Sequence, residues 1–248
     1  VSRRRPDTKP RPRLDLDRVV HAAIALLDDE GLDGLTTRAL ATRLGVQSPA
    51  LYWYVRDKGE LLDLVADAIC APALTASPDP TASPDPTADV GWREQATTGL
   101  RLYRAVLRSH RDAPRLLAER PPVGPIRRRL ADSAVGLVLR AGFPEADAAV
   151  ISLLLGDYVI SIVSEEIRIE VQAAHGNVEE TPPQGAEEFP NLARLAPHLA
   201  AVDPDTLFET GLEILLDGLE YRLQRLHATQ PARVAVKRPA PPRSSSPR

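Results

Sequence analysis

The chain has 248 residues, 43% hydrophobic and 26% charged, which suits a globular domain of ordinary size with attachments. Aromatics are only 4% and Met is absent, so the core must be aliphatic. One cysteine, Cys70, excludes an internal disulfide framework and a Cys-based metal cluster, and the five His are scattered with no close pair at ligand spacing.

The net charge of -3 conceals an uneven distribution. Residues 1–60 hold 11 Lys+Arg against 9 Asp+Glu, residues 61–221 hold 13 against 25, and residues 222–248 hold 7 against none. Basic ends on an acidic middle fit a polyanion partner at one end, and equally a pair of solvated basic tails. No uncharged run reaches the roughly 18 residues of a membrane span, and the basic N-terminus lacks the apolar segment of a signal peptide. A cytoplasmic protein without a membrane partner is expected.

In chain order, residues 1–13 (VSRRRPDTKPRPR) have no apolar periodicity and read as a disordered basic arm. Residues 16–30 place Val20, Ala23, Ile24 and Leu27 on one helical face, with Asp15 as N-cap and Gly31 as terminator. A short helix over 37–44 closes at Gly45, and Pro49 stands where the first turn of the next would begin. Asp57, with Glu60 three residues on, opens a helix to about Cys70. Residues 75–88 contain TASPDP twice in tandem, and so much proline predicts an extended linker. Helices follow at about 89–110, 113–118, 125–141, 145–174, 191–200 and 203–227, interrupted by an acidic Gly- and Pro-punctuated loop over 176–190. The class is all-α. It divides into the arm (1–13), a small helical unit (14–71), the linker (75–88), a larger helical body (89–227) and a disordered basic tail (228–248).

Within the small unit, residues 35–58 read LTTRALATRLGVQSPALYWYVRDK. A helix of about eight residues, a Gly-containing turn and a second short helix is the pattern of a helix-turn-helix, whose second helix enters the DNA major groove. Leu40, Leu44, Val46 and Leu51 can pack inward against Ile24 and Leu27. Thr36, Thr37, Arg38, Gln47, Ser48, Ala50, Tyr52 and Tyr54 are left for the outer face, where hydroxyls, an amide and phenols suit base-edge and phosphate contacts. Trp53 is expected to pack the small domain; Tyr52 suits either role. Lys58 is one of three Lys and is either a phosphate contact or a solvated cation. The cations of the arm can add salt-dependent affinity beside this unit.

LTTRALATRLGV followed by PALYWYVRDKGELLD resembles the DNA-binding region of the tetracycline-repressor (TetR) family, in the branch that includes the tetracycline repressors. The likeness is strong over 16–70. It is weaker through a Trp92-containing helix, SHRDAPRLLAERP (109–121) and Gly142-Phe143. It implies an all-α homodimer in which three N-terminal helices bind a double-stranded DNA operator and a larger body dimerises and holds a small-molecule effector. Carried over residue by residue, it gives Thr37 and Arg38 phosphate and outer-base contacts. Gln47, Ser48, Pro49 and Ala50 open the recognition helix, Tyr52 and Tyr54 flank the groove, and Lys58 reaches phosphate. Ser48, Ala50 and Tyr54 stand where tetracycline repressors carry Gln, Thr and His, so the operator sequence should differ.

In the body, the helices over 145–174 and 203–227 are apolar on more than one face, which a four-helix bundle shared by two subunits would bury. A two-fold dimer sets its recognition helices about 34–36 Å apart and calls for a near-palindromic operator. The resemblance informs the pocket mainly through departures. Leu116 replaces a His, Leu74 and Gly99 replace a His and an Asn, and Tyr103 replaces a Phe; Glu165 and Arg120-Pro121 persist. Hard cations need oxygen or imidazole ligands, so no magnesium–tetracycline response, no metal site and no cofactor are expected. Tyr103, Leu116, Glu119, Arg120, Asp157, Ser161 and Glu165 are the candidates to line an effector pocket. Asp157, set in an apolar helical stretch, is read as a buried functional carboxylate, whereas Glu165 and Glu166 suit solvent as well as ligand.

Three functional classes are weighed. Catalysis would need Asp157 paired with Glu165 or Glu166, two helical turns or about 12 Å away; no nucleophile triad or phosphate-cradling loop accompanies them, so an enzyme is not expected. A helical partner-binding module without DNA binding is the second. The reading that fits the motif is an effector-responsive repressor, with activation by the same fold as its alternative.

Overall fold

The computed structural model describes residues 14–76, 91–174 and 189–229, and every regular element among them is a helix. The arm, the acidic loop up to residue 188 and the tail from residue 230 lie outside the described residues, as does the linker beyond residue 76.

Helix α1 (Leu16–Gly34) starts where Asp15 turns extended, φ -136°, and its carboxylate accepts the Arg18 amide at 2.8 Å. Gly31 kinks the helix rather than ending it: at φ 77° it takes a conformation that side-chain-bearing residues avoid, and one further turn runs to Gly34. Helix α2 (Thr37–Leu44) is capped by the Thr36 hydroxyl on the Ala39 amide and closes on Gly45 in the left-handed region. Helix α3 (Ser48–Leu51) is a single turn with proline at its start. Helix α4 (Lys58–Ile69) is capped by Asp57 on the Glu60 amide at 2.8 Å, while Glu60 reaches back to the Arg56 amide at 2.6 Å.

Helix α5 (Ala71–Ala76) occupies the first part of the expected linker, so the extended stretch cannot begin at residue 75. The body follows as α6 (Trp92–Arg108), α7 (Ala113–Glu119), α8 (Pro125–Arg140), α9 (Glu145–Ala174), α10 (Pro190–Ala200) and α11 (Pro204–Thr229).

Leu26, Leu27, Leu35, Leu40, Leu51 and Val55 close a small aliphatic core across α1–α3, continuous through Leu61, Val65 and Ile69 of α4 with Leu107, Leu116, Val159, Val163 and Phe208 of the body. Each such Leu contributes about 1.5–3 kcal/mol by burial. A second cluster joins α8, α9 and α11 through Val138, Phe143, Ile151, Leu155 and Leu223, with Trp92 edge-on to Phe143 at 6.3 Å. Helix α4 packs on α1 and also on α7 and α8, so it belongs to both regions.

Glu145–Val171 of α9 has the length and composition of a helix able to cross a membrane. Its inner face packs against α6, α7, α8 and α11 through Ala148, Ile151, Leu155, Val159 and Val163. Its outer face leaves Val150, Leu153 and Leu154 exposed.

Candidate nucleic-acid interface and its connection to the body

The tight turn at Gly45 sends α3 out from α2. Leu40, Leu51 and Val55 point inward and are essentially inaccessible, which turns the intervening positions to solvent. Arg38, Gln47, Pro49, Tyr52 and Lys58 are exposed, and Thr37, Ser48 and Ala50 are partly so. In chain order these outward positions run from the start of α2, through α3, to the start of α4. An open groove of about 430 Å³ between α1 and α2 is lined by Thr36, Arg38, Thr42 and Arg43.

Two aromatic residues differ from expectation. Trp53 does not pack the small domain; it is 89% exposed beside Tyr52. Being the residue after Tyr52 on a turn whose inward positions are taken by Leu51 and Val55, it has no core left to enter. Tyr54, expected outside, is half-buried against the core, and its hydroxyl donates to the Leu14 carbonyl at 2.7 Å.

Of the expected pocket residues, Tyr103 and Leu116 share one core and the others turn elsewhere. Leu116 is fully buried, and Tyr103 is half-buried against the same core. Burial pushes the Tyr103 phenol well above its ordinary range and the nearby Cys70 thiol up to about 11. Arg120 turns to α4 instead, with Nε and Nη2 each 2.7 Å from the Asp63 carboxylate. Glu119 is exposed and pairs with Arg115 at 3.0 Å. Glu165 pairs with Arg168, three residues on along the same face. Asp157 is not buried: with Ser161 it lies exposed on α9, at helical spacing from Val150, Leu153 and Leu154. An apolar-looking sequence stretch failed to imply burial because that side of the helix faces away from its own core.

The carboxylate that α9 does bury is Glu166, next to Glu165. It accepts from Arg104 Nε at 3.0 Å and from Arg108 Nη1 at 2.5 Å. Arg104 also reaches Asp205 and stacks over the Phe208 ring at 4.5 Å, and Arg108 reaches Glu170. This network ties α6, α9 and α11 together. Spacing within α6 places Arg104 and Arg108 on one face, the one signal of it in the sequence.

Two polar seams join the small helical unit of residues 14–71, the reader, to the body. At the α6–α7 corner Asp112, at φ 56°, accepts the Leu32 amide at 2.8 Å just past the Gly31 kink. Arg111 grips the Asp29 carbonyl, His110 and the Arg111 amide meet Asp28, and Arg115 meets Asp33. On the other side, buried Asp67 of α4 accepts the Ile126 and Arg127 amides, capping α8 from outside. Gly124 is required there, since a Cβ would sit 2.3 Å from the Asp67 carboxyl. Arg127 in turn donates to the Leu117, Arg120 and Pro121 carbonyls. Asp67 carries no sequence signature, because capping across 59 residues has no local pattern.

Comparison with known proteins agrees with this architecture. The family model for bacterial regulatory proteins of the tetR family matches residues 19–65, and that for the tetracyclin repressor-like C-terminal domain matches residues 83–223. The class A tetracycline repressor of transposon 1721 from Escherichia coli is 36% identical over 219 residues, spanning 85% of this chain and 92% of that protein. The HTH-type transcriptional repressor DrrR1 of Streptomyces coeruleorubidus is 30% identical over 228 residues, spanning 88% and 81%. Among solved structures, ActR from Streptomyces coelicolor in complex with actinorhodin matches with a TM-score of 0.70 at 32% identity, covering 85% of this chain and 99% of that one. A helix-turn-helix reader, an all-helical body and relatedness along nearly the whole described length lead to one conclusion: the chain belongs to the tetracycline-repressor (TetR) family of bacterial transcriptional regulators.

Proposed function

We propose that the chain represses transcription as a homodimer and leaves a near-palindromic double-stranded operator when a small organic effector binds its body. The observation that carries this reading is the set of outward positions Arg38, Gln47, Ser48, Pro49, Ala50, Tyr52 and Lys58, together with Thr37, on a domain bound to the body by two polar seams. Gln47 and Ser48 offer hydrogen bonds to base edges, Ala50 suits a thymine methyl, and Arg38 and Lys58 suit phosphates. Trp53 joins this set because it stands exposed at the end of the same turn.

Dimerisation is supported by the stripes that α9 and α11 leave uncovered: Val150, Leu153 and Leu154 on one, Ile214 and Tyr221 on the other. Burying these against a second copy makes a four-helix seam, in which Asp157 and Ser161 would lie. The effector site is assigned to the interior beside Tyr103 and Leu116, an apolar wall with a phenol that suits an organic ligand free of metal. ActR, solved with actinorhodin and with (S)-DNPA, supports an organic effector of that general kind. Effector binding favours a dimer whose reading heads no longer fit the operator spacing.

The test is selection of genomic DNA fragments on the purified chain, followed by competition across a salt range. A recovered near-palindrome with half-sites one helical turn apart supports the reading. Salt-sensitive binding indifferent to sequence refutes it.

A further inference from the structure

Leu154, Asp157, Ser161, Ser164, Arg168 and Val171 of α9 are all exposed and follow one another in alternating steps of three and four residues. Such a repeat places them on one stripe, of the kind by which helices pack on helices. The body covers the opposite side of α9, through Leu155, Val159 and Val163, and leaves this stripe bare. Its ends are apolar, with Leu154 57% and Val171 50% exposed. Its centre is small, so two helix axes can approach closely there. The Ser164 hydroxyl already donates to the Ile160 carbonyl at 2.7 Å, so burying it strands no donor. Between centre and ends stand one acid and one base. Asp157 takes part in no hydrogen bond or ion pair among the described residues, and Arg168 meets Glu165 of its own helix at 2.8 Å.

This order is self-complementary. Turned end for end about a point between Ser161 and Ser164, the stripe sets Leu154 against the partner's Val171, Asp157 against the partner's Arg168 and Ser161 against the partner's Ser164. A two-fold axis makes each contact twice, so the opposite-charge pair stands on both sides of the centre. A parallel two-fold pairing would put acid on acid and base on base. We infer that α9 packs antiparallel on α9 of a second copy in this register, and that Asp157 with the partner's Arg168 is the charge pair by which the chain selects its own copy. This rests on the homodimer proposed above. A related chain without this acid and base at the same spacing would leave a charge unpaired inside the seam, which disfavours the mixed dimer.

The test follows assembly of the full chain by sedimentation equilibrium and native mass spectrometry, with circular dichroism confirming that each variant keeps its helices. Asp157→Arg alone and Arg168→Asp alone each give the homodimer two like-charged pairs, and each should dimerise at least about tenfold more weakly than wild type. Mixed together, the two single variants regain both opposite-charge pairs and should form a heterodimer, resolved by mass, in preference to either homodimer. The double variant exchanges the charges and should return to within about threefold of wild type. A single variant that dimerises as tightly as wild type, a mixture without excess heterodimer, or a double variant as weak as the singles overturns the inference and leaves the homodimer standing. A wild-type chain that stays monomeric at every concentration overturns the homodimer and this inference with it.

Discussion

Glu166→Ala removes the carboxylate that two arginines share in the interior. Glu166 is inaccessible to solvent, the Arg104 side chain is 12% exposed, and that of Arg108 is 37% exposed. Removing one partner of a buried ion pair costs about 3–5 kcal/mol, because the charge left behind is desolvated without compensation. Arg104 retains Asp205 and Arg108 retains Glu170, both toward the surface. The loss should thus fall at the lower end, about 3 kcal/mol. For a domain of this size, about 2–4 °C of midpoint per kcal/mol puts the fall near 6–12 °C. Glu166→Gln keeps one acceptor and turns a donor toward a guanidinium, and it should fall between wild type and Ala. Urea unfolding followed by circular dichroism, at one fixed protein concentration, measures all three. A Glu166→Ala stability within about 0.5 kcal/mol of wild type would refute the reasoning, since that is the range of an ordinary surface substitution.

Further outcomes are as definite. Gly124→Ala should destabilise the fold by forcing the Asp67 carboxyl off the α8 amides, whereas Gly99→Ala in α6, where a Cβ meets nothing within 4 Å, should raise stability by about 0.5–1 kcal/mol; parallel thermal melts decide, and equal effects would contradict the capping geometry. Arg38→Ala should lower affinity for the selected duplex about tenfold or more with helicity unchanged, and a loss of helicity would mean its role is structural. Cys70, buried with its thiol pushed up to about 11, should resist thiol-disulfide reagents at pH 8 until the chain unfolds. Its folded pKa is raised, so burying the thiol favours the fold below the usual thiol pKa and loses that advantage as pH climbs toward about 11.

What the sequence revealed follows the range of each interaction. Helices and caps are local: Asp15, Asp57 and Gly45 act within a few residues of where they stand, and their positions were readable, whereas Thr36, read for the outer face, caps α2. The outward positions of the reader were legible because alternation between Leu40, Leu51 and their neighbours sets the faces. Trp53 and Tyr54 were misassigned because hydrophobicity ranks a residue but does not say which way a turn aims it. The body was less legible. Asp157 looked buried by composition and stands outside, whereas Glu166 looked equivocal and is inside. The partners of Glu166 and Asp67 lie about 60 residues away, so only the assembled helices bring them together.

Gly31, with its kink held by Asp112, and Asp63, held by Arg120, anchor the reader at two separate places. Arg115 on Asp33 and the α8 amides on Asp67 add to these two, and the aliphatic core runs on beneath them. A unit fastened so widely follows its support as one piece, so a displacement of α7 or α8 would reach the recognition turn undiluted by slack at the joint.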